Sequence, residues 1–277
     1  MKKLKDIVDH FVNELKDFYD LNESKSLAYW LIEFKQNLSR SNYLLEQNKK
    51  LEVSEYNFYT EALNRLKNYE PIQYIVGETE FKNLTFKLAD GCLIPRPETE
   101  ELVDWILQHE FDNALDIGTG SGCIAVSLAK LSKANIKAID VCSKALAIAR
   151  KNAMLNKVSV DFMEMDIFNF REIEKVDVIV SNPPYVLERE KKYMKSNVLD
   201  FEPHKALFVK NDDPLIFYKQ ILFFSEITLK NNGFIFFEIN ELFKDEMCTL
   251  LHRHNFIDIE VKKDLNNKFR MLKATKS

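Results

Sequence analysis

The chain has 277 residues, 46% hydrophobic and 30% charged, a length and balance that give one large or two smaller globular domains with an ample core. A net charge of −4 argues against a protein that grips nucleic acid by its phosphates, since such proteins usually carry a basic face, and no apolar run approaches a membrane span. Cys92, Cys123, Cys142 and Cys248 form no C-x-x-C pair, so reduced thiols in a cytoplasmic chain are expected rather than a disulfide frame or a zinc site.

Lys2, Lys3 and Lys5 open the chain, but acids soon interrupt the apolar pattern and no secretory signal is expected. Leu4, Ile7, Val8, Phe11, Val12, Leu15, Phe18 and Tyr19 recur at helical spacing, predicting an amphipathic helix over about the first twenty residues. Asn22 or Ser24 can cap a second helix bearing Leu27, Trp30, Leu31 and Phe34. Ser54 opens another with Phe58, Tyr59, Leu63 and Leu66 on one side, and Pro71 closes the segment. From Gln73 to Leu93 the apolar period shortens to two, through Tyr74, Val76, Phe81, Leu84, Phe86 and Leu88, which predicts a hairpin turning at Lys82-Asn83. Ile94-Pro95-Arg96-Pro97-Glu98-Thr99-Glu100 is a stiff loop feeding a helix, with Pro97 at the entry and acids at the positive end of the helix dipole.

Strands and helices then alternate. Strands are expected at Ala114 to Ile117, Ile136 to Ile139, Val158 to Met163, Val176 to Val180, Phe234 to Ile239, Phe256 to Val261 and Phe269 to Lys273, with the last two antiparallel. Helices are expected at Cys123 to Leu131, Lys144 to Leu155, Pro214 to Leu229 and Phe243 to His252. This order means an α/β domain: a seven-stranded, mostly parallel sheet with helices on both faces. The expected organisation is a helical bundle over residues 1–70, a linking β-hairpin over 71–93 and the α/β domain over 94–277.

Two stretches carry chemistry. Asp116-Ile117-Gly118-Thr119-Gly120-Ser121-Gly122 follows the first strand of the sheet and precedes a helix, where glycines let backbone approach a ligand and present N–H groups. A dinucleotide fingerprint would need glycine where Cys123 stands, and the preceding carboxylate suits a ligand bearing an ammonium and a sulfonium better than a pyrophosphate. Asp140 ends the next strand about twenty residues on, where a carboxylate can accept ribose hydroxyls; Asp166 follows the third strand, within reach of an adenine amino group. The second stretch is Val176 to Tyr185, a buried strand stopped by Asn182-Pro183-Pro184-Tyr185. Neither proline donates an N–H, so the carbonyls of Asn182 and Pro183 stay free beside an amide and an aromatic ring. Taken alone, this motif reads equally well as a turn with a packed tyrosine.

Gln73-Tyr74-Ile75-Val76-Gly77, Leu93 to Glu100, the Asp116 to Cys123 loop and Val180 to Tyr185 together resemble the PrmC/HemK family of glutamine methyltransferases, with Glu202-Pro203 and Ala206-Leu207 also matching. The resemblance implies a Rossmann-like class I S-adenosylmethionine-dependent methyltransferase fold with a small N-terminal helical domain. It also implies methylation of the side-chain amide of the glutamine in the Gly-Gly-Gln loop of class-1 peptide-chain release factors. Asp116, Gly118, Thr119, Gly120, Ser121, Gly122, Asp140, Asp166, Ile167 and Asn182 would border S-adenosyl-L-methionine. Asn182, Pro183, Pro184, Tyr185 and Arg96 would face the substrate, with Asn182, Pro183 and Tyr185 nearest the reaction. The chain departs from the family's usual pattern at Ile167, often tryptophan, and at Val209, Lys210 and Asn240, where glycine is usual.

A carboxamide nitrogen is a poor nucleophile, and accepting its two N–H bonds at Asn182 Oδ1 and the Pro183 carbonyl would orient it while Tyr185 walls the slot. Transfer to the adenine amine of a nucleic acid poses the same orientation problem and is the alternative; the acidic balance and the lack of an obvious target-recognition domain weigh against it. A non-catalytic partner-binding module is disfavoured by the survival of both the acceptors and the glycine loop, and a nicotinamide dehydrogenase by Cys123. His10, His109, His204, His252 and His254 form no pattern, so no metal is expected. The bundle is expected to recognise the release factor, and the protein to act as a monomer in the cytoplasm without nucleic acid.

Overall fold

The computed structural model describes residues 2–89 and 91–277. Met1, in the expected first helix, and Asp90, in the expected hairpin span, lie outside the described residues. Chain contacts separate two compact units, residues 1–77 with 195–201, and 78–194 with 202–277.

The first unit is helical. α1 spans Leu4–Leu15 and buries Leu4, Ile7, Phe11 and Leu15, one stripe at helical spacing; Phe18 and Tyr19 fall in the turn beyond it. α2, Leu21–Gln36, is capped by Asp20, whose carboxylate accepts from the backbone N–H of Asn22 and of Glu23, both at 2.8 Å. The expected caps Asn22 and Ser24 thus lie inside the helix. Its buried face is Ala28, Leu31 and Ile32, while Trp30 and Phe34 are exposed. α3, Arg40–Glu46, was not signalled by apolar periodicity; Ser39 caps it. α4, Val53–Lys67, starts before Ser54 and is capped by Glu52, whose N–H donates to Glu55 at 2.8 Å. α5, Ile72–Val76, corrects the reading of Tyr74 and Val76 as strand. Pro71 sits at its N-cap and Gly77, at φ 74°, ends it, so the stretch closes into a short helix before an extended period can begin.

The second unit opens with the hairpin, β1 (Glu78–Phe81) and β2 (Leu84–Lys87), turning at Lys82 and Asn83 with φ of 52° and 58°, as a two-residue turn of this hand requires. Next come α6 (Pro97–Ile106), β3 (Asn113–Ile117), α7 (Cys123–Leu131), β4 (Asn135–Asp140), α8 (Ser143–Leu155), β5 (Asp161–Glu164) and β6 (Val176–Ser181). The stretch beyond holds β7 (Val186–Leu187), α9 (Ser196–Leu199, part of the helical unit), α10 (His204–Leu207) and β8 (Phe208–Val209). The chain ends with α11 (Ile216–Thr228), β9 (Leu229–Glu238), α12 (Lys244–Arg253), β10 (Phe256–Lys263) and β11 (Phe269–Lys276).

Seven strands form one sheet in the order β10-β11-β9-β6-β3-β4-β5, parallel except that β11 runs antiparallel to both its neighbours. Both faces are covered. Val178 and Val180 of β6 pack into one layer with Leu102, Ile106, Leu128 and Ala149, whereas Val176 and Ile179 pack into the other with Tyr218, Leu222 and Leu251. The hairpin falls within this unit and is tied to it: Asn152 of α8 accepts from Lys87 N at 2.7 Å and donates to Lys87 O at 3.0 Å. The chain runs from β3 outward through β4 and β5, then returns to β6 on the other side of β3, which leaves a crevice at the carboxyl ends of β3 and its neighbours.

Asp20→Ala removes the acceptor for two N–H groups at the start of α2. It is expected to lower the unfolding free energy of the helical unit by about 1 kcal/mol in urea titration, leaving the second unit's transition in place.

Candidate active site

The register of β3 with β6 sets Ile117 opposite Ser181, and Ser181 Oγ donates to the Ile117 carbonyl at 2.7 Å. Gly118 and Asn182 therefore leave two neighbouring strands at the same level. The glycine loop and the Asn-Pro-Pro-Tyr turn face one crevice as a consequence.

In the loop, Gly118, Gly120 and Gly122 all have left-handed φ, at 75°, 54° and 82°. A Cβ on Gly118 or Gly120 would meet no heavy atom within 4 Å, so those positions border open space; one on Gly122 would stand 3.0 Å from the Ala149 Cβ, so there glycine is required for helix packing. Asp116 is 1% exposed. Its Oδ2 accepts from the Thr119 hydroxyl at 2.6 Å and from Ala125 N at 3.3 Å, while Oδ1 is buried without a hydrogen-bond partner. Burial pushes its carboxyl up to about 7, partly opposed by those two donors. Asp140 accepts from Gly120 N and from Cys142 N, each at 2.8 Å, and burial raises its carboxyl while the backbone donors lower it. Asp166, exposed, closes a local turn by accepting from Phe168 N at 2.9 Å. Ile167 is half-buried against the apolar layer below. Ser121 is buried, and its carbonyl accepts from Asn152 at 2.9 Å, which ties the loop to α8.

On the other side, Asn182 Nδ2 donates to Glu238 Oε2 at 3.0 Å and lies 3.4 Å from Thr99 Oγ1. Neither Asn182 Oδ1 nor the Pro183 carbonyl has a hydrogen-bond partner among the described residues. The Tyr185 hydroxyl donates to Glu238 Oε1 at 2.8 Å, and burial drives its phenol well above the ordinary range. Arg270 stands 5.6 Å from the Tyr185 ring. Asn182, Pro183 and Tyr185, with Leu93, Arg96 and Leu207, line a narrow pocket of about 40 Å³. Arg96 forms an ion pair at 2.5 Å with Glu202, whose side chain is 1% exposed. Pro184 is half-buried beside them.

A larger hollow of about 280 Å³ lies by the amino ends of β3, β6 and β9, far along the strands from this crevice. There Asp177 clamps backbone, accepting from Asp112 N at 3.1 Å and Asn113 N at 2.9 Å and pairing with Lys230 at 2.6 Å. This hollow carries no part of either motif.

Glu238, Thr99, Glu202 and Asn152 had no assigned role in the sequence reading. Thr99 and Glu202 stand in stretches that carried the family resemblance without a role of their own, and Glu238 left a separate sign, an acid closing the apolar run Phe234 to Phe237. At position 240, φ is −76°, so no glycine is needed; Asn240 Nδ2 instead donates to the Tyr185 carbonyl at 3.2 Å. Val209 is buried in β8, paired with Leu187. No group of His, Cys, Asp and Glu able to hold a metal ion occurs among the described residues, and no described helix is long and apolar enough to cross a membrane.

The PrmC N-terminal domain model matches residues 6–77, and that of the methyltransferase small domain matches 97–201. A release factor glutamine methyltransferase from Flavobacterium psychrophilum is 44% identical over 98% of each chain. The chain belongs to the release factor glutamine methyltransferase family. Another member, from Bacteroides thetaiotaomicron, is 47% identical over 76% of this chain and 78% of its own. Among solved structures, a Pyrococcus furiosus methyltransferase superposes with TM-score 0.55 at 16% identity, covering 79% of this chain and 98% of that one. A T. thermophilus 16S rRNA N2 G1207 methyltransferase, in complex with AdoMet and guanosine, gives 0.53 at 17% identity, covering 72% and 50%. At such identities the two show the fold alone, that of class I methyltransferases.

Asp116 carries a consequence for stability. Its folded pKa of about 7 lies above the ordinary 3.8, so the folded chain binds the extra proton between those values. Unfolding free energy is therefore expected to fall as pH rises from 4 to 7, with a slope of up to about 1.4 kcal/mol per pH unit. Asp116→Asn should flatten that part of the pH profile in urea titrations.

Proposed function

We propose that this chain transfers a methyl group from S-adenosylmethionine to the side-chain amide nitrogen of the glutamine in the Gly-Gly-Gln loop of class-1 peptide-chain release factors, in the cytoplasm. The observation that carries the reading is the register of β3 with β6, which sets the glycine loop beside an asparagine whose amide oxygen has no partner among the described residues. Membership of the family supports the substrate.

The donor fits the residues present. Asp116 Oδ1 is a buried acceptor without a donor, the complement of an ammonium group, and the open sides of Gly118 and Gly120 leave backbone accessible. Gly118 to Gly122 would hold the amino-acid part of the donor and Asp140 its ribose, with Asp166 and Ile167 toward the adenine. When bound, S-adenosylmethionine supplies an electrophilic methyl carbon on a sulfonium.

The remaining work falls to the slot. Asn182 Oδ1 and the Pro183 carbonyl accept the two N–H bonds of the substrate amide, which fixes the direction of its nitrogen and favours the positive charge that grows there. Tyr185 walls the slot with its hydroxyl committed to Glu238, so it excludes water without competing for the amide. Arg96, held by the buried Glu202, can offer its remaining N–H groups to backbone carbonyls of the substrate loop. A pocket of about 40 Å³, room for a few waters, favours a carboxamide over an adenine ring.

The helical unit supplies none of these groups, and we assign it to gripping the release factor. Leu44 and Leu45 on α3 are 63% and 84% exposed, an apolar offering on a small unit.

Labelled donor mixed with the protein and either a release factor or DNA tests the reading; label appearing only on DNA would overturn it. Asn182→Ala should lower single-turnover methylation by roughly 100-fold with donor affinity little changed, because the lost acceptor matters only when the substrate amide is present. A wild-type rate would rule out the amide-orienting slot. Leu45→Glu is expected to raise KM for the intact release factor several-fold while leaving that for a Gly-Gly-Gln peptide unchanged, and equal shifts for both substrates would remove the helical unit from recognition.

A further inference from the structure

Glu238, at the end of β9, is 1% exposed and makes no ion pair among the described residues, yet its side chain is surrounded by donors. Oε2 accepts from the Thr99 hydroxyl at 2.6 Å and from Asn182 Nδ2 at 3.0 Å; Oε1 accepts from the Tyr185 hydroxyl at 2.8 Å. Its backbone carbonyl accepts from the buried Tyr218 hydroxyl at 2.8 Å, which anchors the strand end. We propose that Glu238 is a positioning residue that decides which end of the Asn182 amide faces the substrate, an inference that rests on the reaction proposed above.

The two ends of an asparagine amide have nearly the same shape and opposite hydrogen-bonding character. With Oδ1 toward the slot, Asn182 accepts an N–H from the substrate amide. Turned over, it would present Nδ2, a donor against a donor, and the slot would repel the group it has to orient. Nothing in the Asn-Pro-Pro-Tyr turn itself chooses between these states.

Glu238 does choose. An ionised carboxylate only accepts, so Oε2 attracts Nδ2 and would repel Oδ1 at the same place. Thr99 reinforces the choice, because its proton is committed to Glu238 and its oxygen, 3.4 Å from Nδ2, is left only to accept. Both neighbours of the buried amide end therefore take a donor and refuse an acceptor. The same carboxylate fixes the Tyr185 hydroxyl, so one acid sets the acceptor and the wall of the slot together.

Burial holds the carboxyl of Glu238 above its usual range, a rise that the Thr99 and Tyr185 hydroxyls and the charge of Arg270 oppose and the nearby Glu98 adds to. Arg270 is itself held by the Ile239 carbonyl at 3.0 Å and Asp264 at 3.3 Å, so its charge stays near without entering the slot.

The test is a set of variants assayed for single-turnover methylation of the release factor, with donor affinity measured by calorimetry as a check that the crevice is intact. Glu238→Met should slow transfer by roughly 100-fold while donor Kd changes by less than about threefold. Glu238→Gln should retain more activity, since its carbonyl can still accept from Asn182 while its amide turns toward the Tyr185 oxygen. The sharper measurement couples the two positions. Asn182→Asp sets a second carboxylate against Glu238; adding Glu238→Gln supplies a donor to it and frees its other oxygen for the slot, so the double variant should be about tenfold or more faster than Asn182→Asp alone. A structural role for Glu238 predicts further loss in the double variant, not recovery.

If Glu238→Met does not fold, the coupling between the two conservative variants decides by itself. Failure of the wild type to methylate the release factor would overturn the reaction. A wild-type enzyme that works, together with an unchanged rate in Glu238→Met or no recovery in the double variant, would overturn the role of Glu238 alone.

Discussion

The parallel pairing of β3 with β6 is the constraint on which the site depends. Ile117 opposes Ser181, and the residues that follow each diverge from the same edge, one strand giving the glycine loop and the other the proline turn. Side chains alternate along a strand, so a slip of one residue would turn Val178 and Val180 toward the layer that now receives Ile179. The register is thus defended by two packed layers, and Ser181 adds a bond at the rim where packing ends. Rigid placement of both motifs comes from a core that has no chemistry of its own.

Three acids, Asp116 and Glu238 buried and Asp140 half-buried, stand at the carboxyl ends of these strands, and each is handled differently. Asp140 is matched by backbone N–H groups at both oxygens. Glu238 is matched by side-chain donors at both oxygens, so it can act only through the groups that it holds. Asp116 has one oxygen satisfied and the other bare. An unmatched buried carboxylate is costly unless protonated, and its upward shift records that cost. A cation arriving at Oδ1 would reverse the balance, which is a physical reason for a positively charged ligand to be drawn to this end of the crevice.

The loop that would receive that ligand is braced from behind. Asn152, fully buried, bonds both the Ser121 carbonyl and the backbone of Lys87, which ties α8, the hairpin and the glycine loop together. Gly122 lets α8 approach closely, with Ala149 small enough to meet it. Glycine at 118 and 120 serves the opposite purpose and leaves space.

Much of this was legible in the sequence because it is local. The helix and strand series, the left-handed turn at Lys82-Asn83, the glycine loop and the proline turn are each encoded within a few consecutive residues, and backbone sterics act over that distance. Short elements escaped for the converse reason: five residues between Pro71 and Gly77 are too few to tell a helical period from an alternating one. The cap of α2 moved to Asp20 because several polar residues there compete for one helix start, and only backbone geometry picks the winner. What tertiary structure alone decided is the company of Asn182. Its partner Glu238 lies 56 positions away and Thr99 lies 83 away, on elements that meet only when β9 docks beside β6 and α6 packs across them. The sequence determined that an amide would stand at the end of that strand; which end of the amide turns outward was settled by an acid brought to it through the folding of the sheet.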